Sequence, residues 1–354
     1  MEKMKAGNIK SKYILKKIFD ILPEIKMLNI IRYNKNIQKL LNISIEDYKK
    51  NGTIEIEIIP SDDTIGKFIS INEELSQYYH VYFDDNTKEA KNTIINIYNA
   101  KKIKVIIDHQ VDSLKGLFKE CHDIKKIEFT KCYRNNITNM SEMFFKCIDL
   151  KNVDISKLRT NYVENMSSMF YRCVQLETIN LASFNTQNVK NMSHMFNSCE
   201  ALTDLNLSNF NTNNVTRMAE MFENCKSLKK LDLSNFTTNK LSDIYSMFSK
   251  CSKLEELNLS NFNTSNVINM AEMFNDCHLL KKIEIPCFDI GKAFDMSRMF
   301  NRCYSLNEIT LVNFNNNNII NMDYAFEKCK ELKKINCSDE LKEIIRKKFP
   351  FLNI

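Results

Sequence analysis

Tryptophan is absent from this chain of 354 residues, and glycine and proline occur only 5 and 4 times. So little glycine leaves no room for phosphate-cradling loops, and neither GxGxxG nor GxxxxGK[ST] occurs. Also missing is any apolar run of the roughly 18 residues that a membrane helix requires, so no membrane partner is expected. The start, MEKMKAGNIKSKYILKKIFDILPEI, has its apolar residues broken by Lys16, Lys17 and Asp20. It reads as an amphipathic helix rather than a signal peptide, which points to a cytoplasmic protein. His80, His109, His122, His194 and His278 share no motif, and HExxH and CxxC are lacking. No metal, cofactor or catalytic residue is therefore expected, and the chain does not read as an enzyme. Its 50 basic and 44 acidic residues are interspersed, giving +6 without the basic stripe of a nucleic-acid binder.

What the chain has is a repeat. Cysteine recurs at Cys121, Cys147, Cys173, Cys199, Cys225, Cys251, Cys277, Cys303 and Cys329, each 26 residues from the last (147 − 121 = 26). A fixed period of this length marks a solenoid, whose units must stack to bury a shared core. Within one unit, Met192, Met195, Phe196 and Cys199 fall at i, i+3, i+4 and i+7, which predicts a two-turn amphipathic helix. Asn191 is placed as its N-cap, with Ser113, Asn139, Asn165, Asp243, Asn269, Asp295 and Asn321 equivalent; Arg217 alone breaks the column. Glu142, Glu220 and Glu272 stand where a capping box needs them.

Leu205 and Leu207 then alternate with polar neighbours, the mark of a short strand with one buried face. The column through Leu205 reads Ile127, Val153, Ile179, Leu205, Leu231, Leu257, Ile283, Ile309 and Ile335, with no polar member. Phe184, Phe210, Phe236, Phe262, Phe288 and Phe314 follow each strand as inward plugs. The fold class expected is therefore α/β: a solenoid of about nine coils with a parallel sheet on one side and short helices on the other. Twelve cysteines in a secreted protein would suggest disulfides, but nine in one repeated inward position favour buried thiols in a reducing compartment.

Outside the array, residues 1–50 read as several short helices and 51–101 as a mixed α/β segment, ahead of a solenoid at 102–337 and a capping helix at 338–354. Ile54, Ile56 and Ile58 alternate as a strand stopped by Pro60, His80 to Phe83 reads as a second strand, and Lys88 to Tyr98 as a helix. Lys102 to Asp108 fits a zeroth coil that starts the array. Ser338 caps the last helix, with Leu341, Ile344 and Ile345 apolar and Pro350 as its stop.

The phrase LxxLxLSNF in Leu202 to Phe210, joined to NVxxMxxMFxxC up to Cys225, resembles the leucine-rich repeats of the BspA-like surface protein family of bacteria and protists. The likeness covers roughly 105–337. It implies a leucine-rich-repeat fold and a non-enzymatic binding or adhesion role, with export to the cell surface as the family's habit. The string from Ile18 to Leu41 resembles an F-box, which implies docking of a ubiquitin-ligase adaptor through residues 11–41. A protein interaction scaffold is thus the leading expectation, with an F-box-like substrate receptor or a surface adhesin as alternatives. The expected contact face is the column between the buried strand residues: Glu128, Asp154, Asn180, Asn206, Asp232, Asn258 and Glu284.

Overall fold

The structure, a computed structural model, describes residues 35–41, 52–61, 66–71, 73–84, 86–90, 100–108, 111–132, 134, 136–281, 283, 288–313 and 321–352. Of the N-terminal helices expected over 11–50, only α1 (Lys35–Leu41) falls among them. Most of the expected helix at Lys88 to Tyr98 lies outside, and residues 88–90 are not helical.

Five strands form the first sheet: β1 (Ile54–Pro60), β2 (Tyr79–Phe83), β3 (Ile103–Ile107), β4 (Ile124–Cys132) and β5 (Asn152–Asp154), in the order β2-β3-β1-β4-β5. The period-two pattern of β1 buries Ile54, Ile56 and Ile58 in a row with Val105 of β3 and Ile127 and Phe129 of β4. On the opposite face Glu55 pairs with Lys104 at 3.0 Å and Lys131 at 3.3 Å. Both apolar and charged faces match neighbours on either side, so β1 slots antiparallel between β3 and β4. This corrects the zeroth coil: β3 is the next strand but one from β4 and takes no part in the parallel stacking. That stacking begins with β4 and β5, which pair in parallel through Ile127 and Val153.

From there the chain winds. Parallel strand pairs recur as β6 (Lys230–Asp232) with β7 (Glu256–Asn258), and as β8 (Glu308–Thr310) with β9 (Lys334–Asn336). A second parallel ladder, one residue wide, links Ser113, Asn139, Asn165, Asn191, Arg217, Asp243, Asn269, Asp295 and Asn321 in turn.

The segment from this ladder to the cysteine is not the helix that its apolar spacing predicts. Met195, Asn197 and Cys199 donate their N–H groups three residues back, to Met192, His194 and Phe196. Met192, His194, Phe196 and Ser198 instead donate to carbonyls of the next coil, at Arg217, Ala219, Met221 and Glu223. His194 and Ser198 have φ of 57° and 59°, as do their equivalents along the array, so each coil is a chain of tight turns. Two turns four residues apart aim Met192, Met195, Phe196 and Cys199 inward just as a helix would. Donors freed from an i−4 pattern bind coil to coil instead. Asn191 accordingly accepts the N–H of Ser193 at 2.9 Å, closing an Asx turn rather than capping a helix. Glu142, Glu220 and Glu272 form no capping boxes: they hold φ of 58°, 56° and 58° and pair outward with Lys119, His194 and Arg298.

The core is a set of columns. Phe118, Phe144, Phe170, Phe196, Phe222, Phe248, Phe274, Phe300 and Phe326 stack face to face, with centroids 5.2 Å apart at Phe144–Phe170 and 5.8 Å at Phe196–Phe222. Both ends of the stack are closed edge-on. Phe129 of β4 meets Phe118 at 87°, and Phe349 meets Phe326 at 88°. Phe349 is positioned by α2 (Asp339–Lys348), where Ser338 accepts from the Leu341 N–H and Leu341 and Ile345 are buried.

Beside the rings runs the column of thiols. Cys225 Sγ donates to the carbonyl of Phe196 at 3.2 Å, and every anchor cysteine from Cys147 to Cys329 repeats that bond to the phenylalanine 29 residues earlier. The described cysteines carry no disulfide. Burial pushes the thiols of Cys121, Cys251 and Cys329 up to about 12, and the other anchors are raised as well. Thiolate is the reactive form. Iodoacetamide at pH 8 is therefore expected to label Cys337, which is part-exposed, and to spare the anchors until denaturant is added, as read by peptide mass spectrometry. Rapid labelling of Cys199 or Cys225 in the folded protein would contradict the packing.

Candidate functional site

The face expected to bind a partner is occupied with local work. Asp154, Asn180, Asn206, Asp232 and Asn258 each turn a side-chain oxygen onto the N–H two residues later, at Ser156, Ala182, Ser208, Ser234 and Ser260, over 2.9–3.1 Å. Those bonds hold the carboxyls of Asp154 and Asp232 below the usual aspartate range, with the backbone bond to Ser156 or Ser234 as the main cause. Glu128 pairs with Lys126 at 2.8 Å within β4. Glu284 lies outside the described residues. The column therefore sits on the strand side, and most of its members close turns while leaving their outer edges to solvent.

A second ladder went unread in the sequence. Thr160, Thr186, Thr212, Thr238 and Thr264 are all buried and recur at the same period. Each hydroxyl donates to a carbonyl of the next coil over 2.8–3.0 Å, at Asn185, Asn211, Thr237, Asn263 and Asp289. At Asn185, Asn211 and Asn263 it also accepts the N–H of the same residue. The period was visible; threonine's use as a two-way backbone clamp was not.

Among the described residues, a concave feature with room for a ligand lies elsewhere, along the one-residue ladder. A groove of about 620 Å³ starts at Ser167 and Ser168 and passes Ser193, His194, Arg217 and Asp243. It ends at Ile268 and Phe294. Its lining drifts back through the repeat, from two and three residues past the ladder at Ser167 and Ser168 to one residue before it at Phe294, so the groove crosses six successive coils obliquely. At about 4.8 Å per coil that is a length of about 24 Å. One end is rich in hydroxyls, the middle carries charge, and the far end is apolar, where Ile268 and Phe294 are 46% and 52% exposed.

Arg217 sets the middle. At the other ladder positions described, an Asn, Asp or Ser oxygen accepts the N–H two residues on, as Asn165 does from Ser167 and Asp243 from Tyr245. An arginine has no acceptor to offer. The Ala219 N–H is left without a hydrogen-bond acceptor, and the Arg217 guanidinium makes no ion pair or hydrogen bond among the described residues. Beside it, His194 Nδ1 stands 3.1 Å from Glu220. The close Glu220 carboxylate outweighs burial and raises the imidazole above its ordinary range, and the same contact holds the Glu220 carboxyl down. Burial raises the Glu223 carboxyl against the pull of Lys250, 2.7 Å away. Among the described residues no group of three His, Cys, Asp or Glu side chains could hold a metal ion, and no helix is long and apolar enough to cross a membrane.

The chain is similar to a crystallised leucine-rich repeat protein from Bacteroides ovatus, at 17% identity over 69% of this chain and 67% of that one, with a TM-score of 0.32. It is also similar to TLR13 in a complex with ssRNA13, at 15% identity over 60% of this chain and 40% of that one, with a TM-score of 0.25. No curated protein matches it. Neither structural likeness bears on the F-box resemblance at 18–41, most of which lies outside the described residues. A profile described as "Mycoplasma protein of unknown function, DUF285" matches twice, over residues 112–232 and 224–339, which together take in the winding part from the first ladder residue to the start of α2. With well over half its length inside those two matches, the chain belongs to the DUF285 family.

Proposed function

We propose that this protein is a non-catalytic scaffold that holds a polypeptide partner against a long face of its solenoid. The observation that carries the reading is the oblique groove. It is about as long as an extended segment of seven residues at about 3.3 Å each, and its chemistry is graded from hydroxyl to charge to apolar along that length. Repeat proteins use extended surfaces of this kind because each coil adds one increment of contact to a rigid backing. Residence in the cytoplasm belongs to the same proposal, supported by nine anchor cysteines buried as thiols in one column, with no disulfide among the described cysteines.

Site-directed crosslinking tests the choice of face. A benzoyl-phenylalanine in place of the exposed Phe294 is expected to give a partner adduct, and the same probe at Lys229, beside the strand-side column, is expected to give about tenfold less. Equal yields from the two positions, or adducts from Lys229 alone, would move the contact to the strand side.

A further inference from the structure

Within the groove, and resting on the scaffold reading, we infer that Arg217 and the Ala219 N–H form a donor pair that binds a carboxylate on an extended peptide whose bulky apolar residue seats at Ile268 and Phe294. The argument begins with a missing bond. Elsewhere along the ladder an Asn, Asp or Ser oxygen satisfies the N–H two residues on, and at this one coil the acceptor is replaced by a cation. Two donors, one of them charged, thereby line the middle of the groove with no hydrogen-bond or ion-pair partner among the described residues. A planar carboxylate matches that pair, taking the guanidinium on one edge and the backbone N–H on the other.

Charge decides the class of partner. Asp243 follows Arg217 along the ladder, and Glu220 stands three residues beyond it against His194. A polyphosphate backbone would meet those carboxylates at its second or third charge, whereas a single carboxylate meets only the arginine. The far end adds the second requirement. Ile268 lies two coils from Arg217 and Phe294 three, which at about 4.8 Å per coil is about 10 and 14 Å. An extended chain covers those distances in three to four residues at about 3.3 Å each. The recognised segment therefore pairs an acidic residue with a large apolar one about three or four positions away.

The test uses the full chain and fluorescent peptides of about seven residues carrying one aspartate and one phenylalanine at varied separations, with aspartate-to-asparagine copies as controls. Tight binding is expected when the two are about three or four apart, with about tenfold weaker binding of the asparagine copies. Arg217→Asn separates binding from folding, because it restores the turn acceptor used elsewhere on the ladder. This variant is expected to melt at or above the temperature of the parent while its affinity falls about tenfold. Unchanged affinity in Arg217→Asn, or equal binding of the asparagine peptides, would overturn the carboxylate site; if binding then still depended on Phe294→Ser, the scaffold reading would stand without it. Peptides indifferent to both substitutions would overturn both. A single-stranded RNA that outcompetes the peptides would overturn the choice of partner.

Discussion

Phe222→Ala is expected to lower stability by about 3–5 kcal/mol, the range for emptying a packed aromatic site. The ring is fully buried and lies between Phe196 at 5.8 Å and Phe248 at 5.6 Å, both stacked within 7° of parallel. Its site has little freedom to collapse. The Phe222 N–H is bound to Met247 and the Met221 carbonyl to the Phe196 N–H, which fixes the backbone on either side. Each coil touches only its neighbours, so a hole in mid-array weakens the coupling between two halves that remain internally sound. Chemical denaturation followed by circular dichroism is expected to show a split transition in Phe222→Ala and a single one in the parent. A loss below about 1 kcal/mol with one sharp transition would mean that the rings fill space without joining the coils.

Thr238→Val should cost nearly as much for a different reason. The exchange conserves volume but deletes a hydroxyl that donates to the Asn263 carbonyl at 2.8 Å and accepts the Asn263 N–H at 2.7 Å. Both backbone groups would be orphaned beside a residue only 1% exposed. At about 1–3 kcal/mol for each of two unsatisfied groups, a loss of about 2–6 kcal/mol is expected. Thr238→Ser keeps the two bonds and gives up one methyl, so its loss should stay near about 1 kcal/mol. Urea denaturation of the pair makes the comparison. Equal losses would assign the column to packing rather than to hydrogen bonding.

The inward columns were legible because burial leaves its period in the residue types. Met192, Phe196, Cys225 and Leu231 were placed inside from spacing, and all four are buried. The backbone between them was not legible, because i, i+3, i+4, i+7 describes which side chains turn inward and not which carbonyl each N–H will meet. The residue that would have betrayed tight turns is glycine, and Gly116, at φ 62°, is the one place on the two left-handed columns where it occurs. Elsewhere His194, Ser198, Glu220 and Asn224 take the same conformation, at a cost of order 1 kcal/mol each that the bonds between coils offset. The position of β1 was hidden for a related reason. Its alternation announced a strand, but antiparallel insertion beside Ile127 depends on a pairing that reaches across the whole first coil.

The candidate groove was half written. Arg217 stood out as the break in a column of turn-forming residues, which marked the coil without revealing that Ala219 would lose its acceptor. Ile268 and Phe294 gave no signal, since each follows polar residues at the same place in preceding coils, Thr216 and Ser242. The groove runs obliquely, so no single column supplies its lining: Ser167, Ser193 and Ala219 come from one, Arg217 and Asp243 from a second, and Ile268 and Phe294 from a third. Reading down any one column could not assemble it.

The edge-on closures at Phe129 and Phe349 carry a lesson about length. Because every storey presents the same ring face above and below, a whole storey could be removed from the middle, or one added, and each lid would meet a surface identical to the one it meets now. Gain or loss in whole units of 26 residues would thus be nearly silent for folding, while the slanting cleft, whose identity comes from particular storeys in a particular sequence, would be rewritten each time.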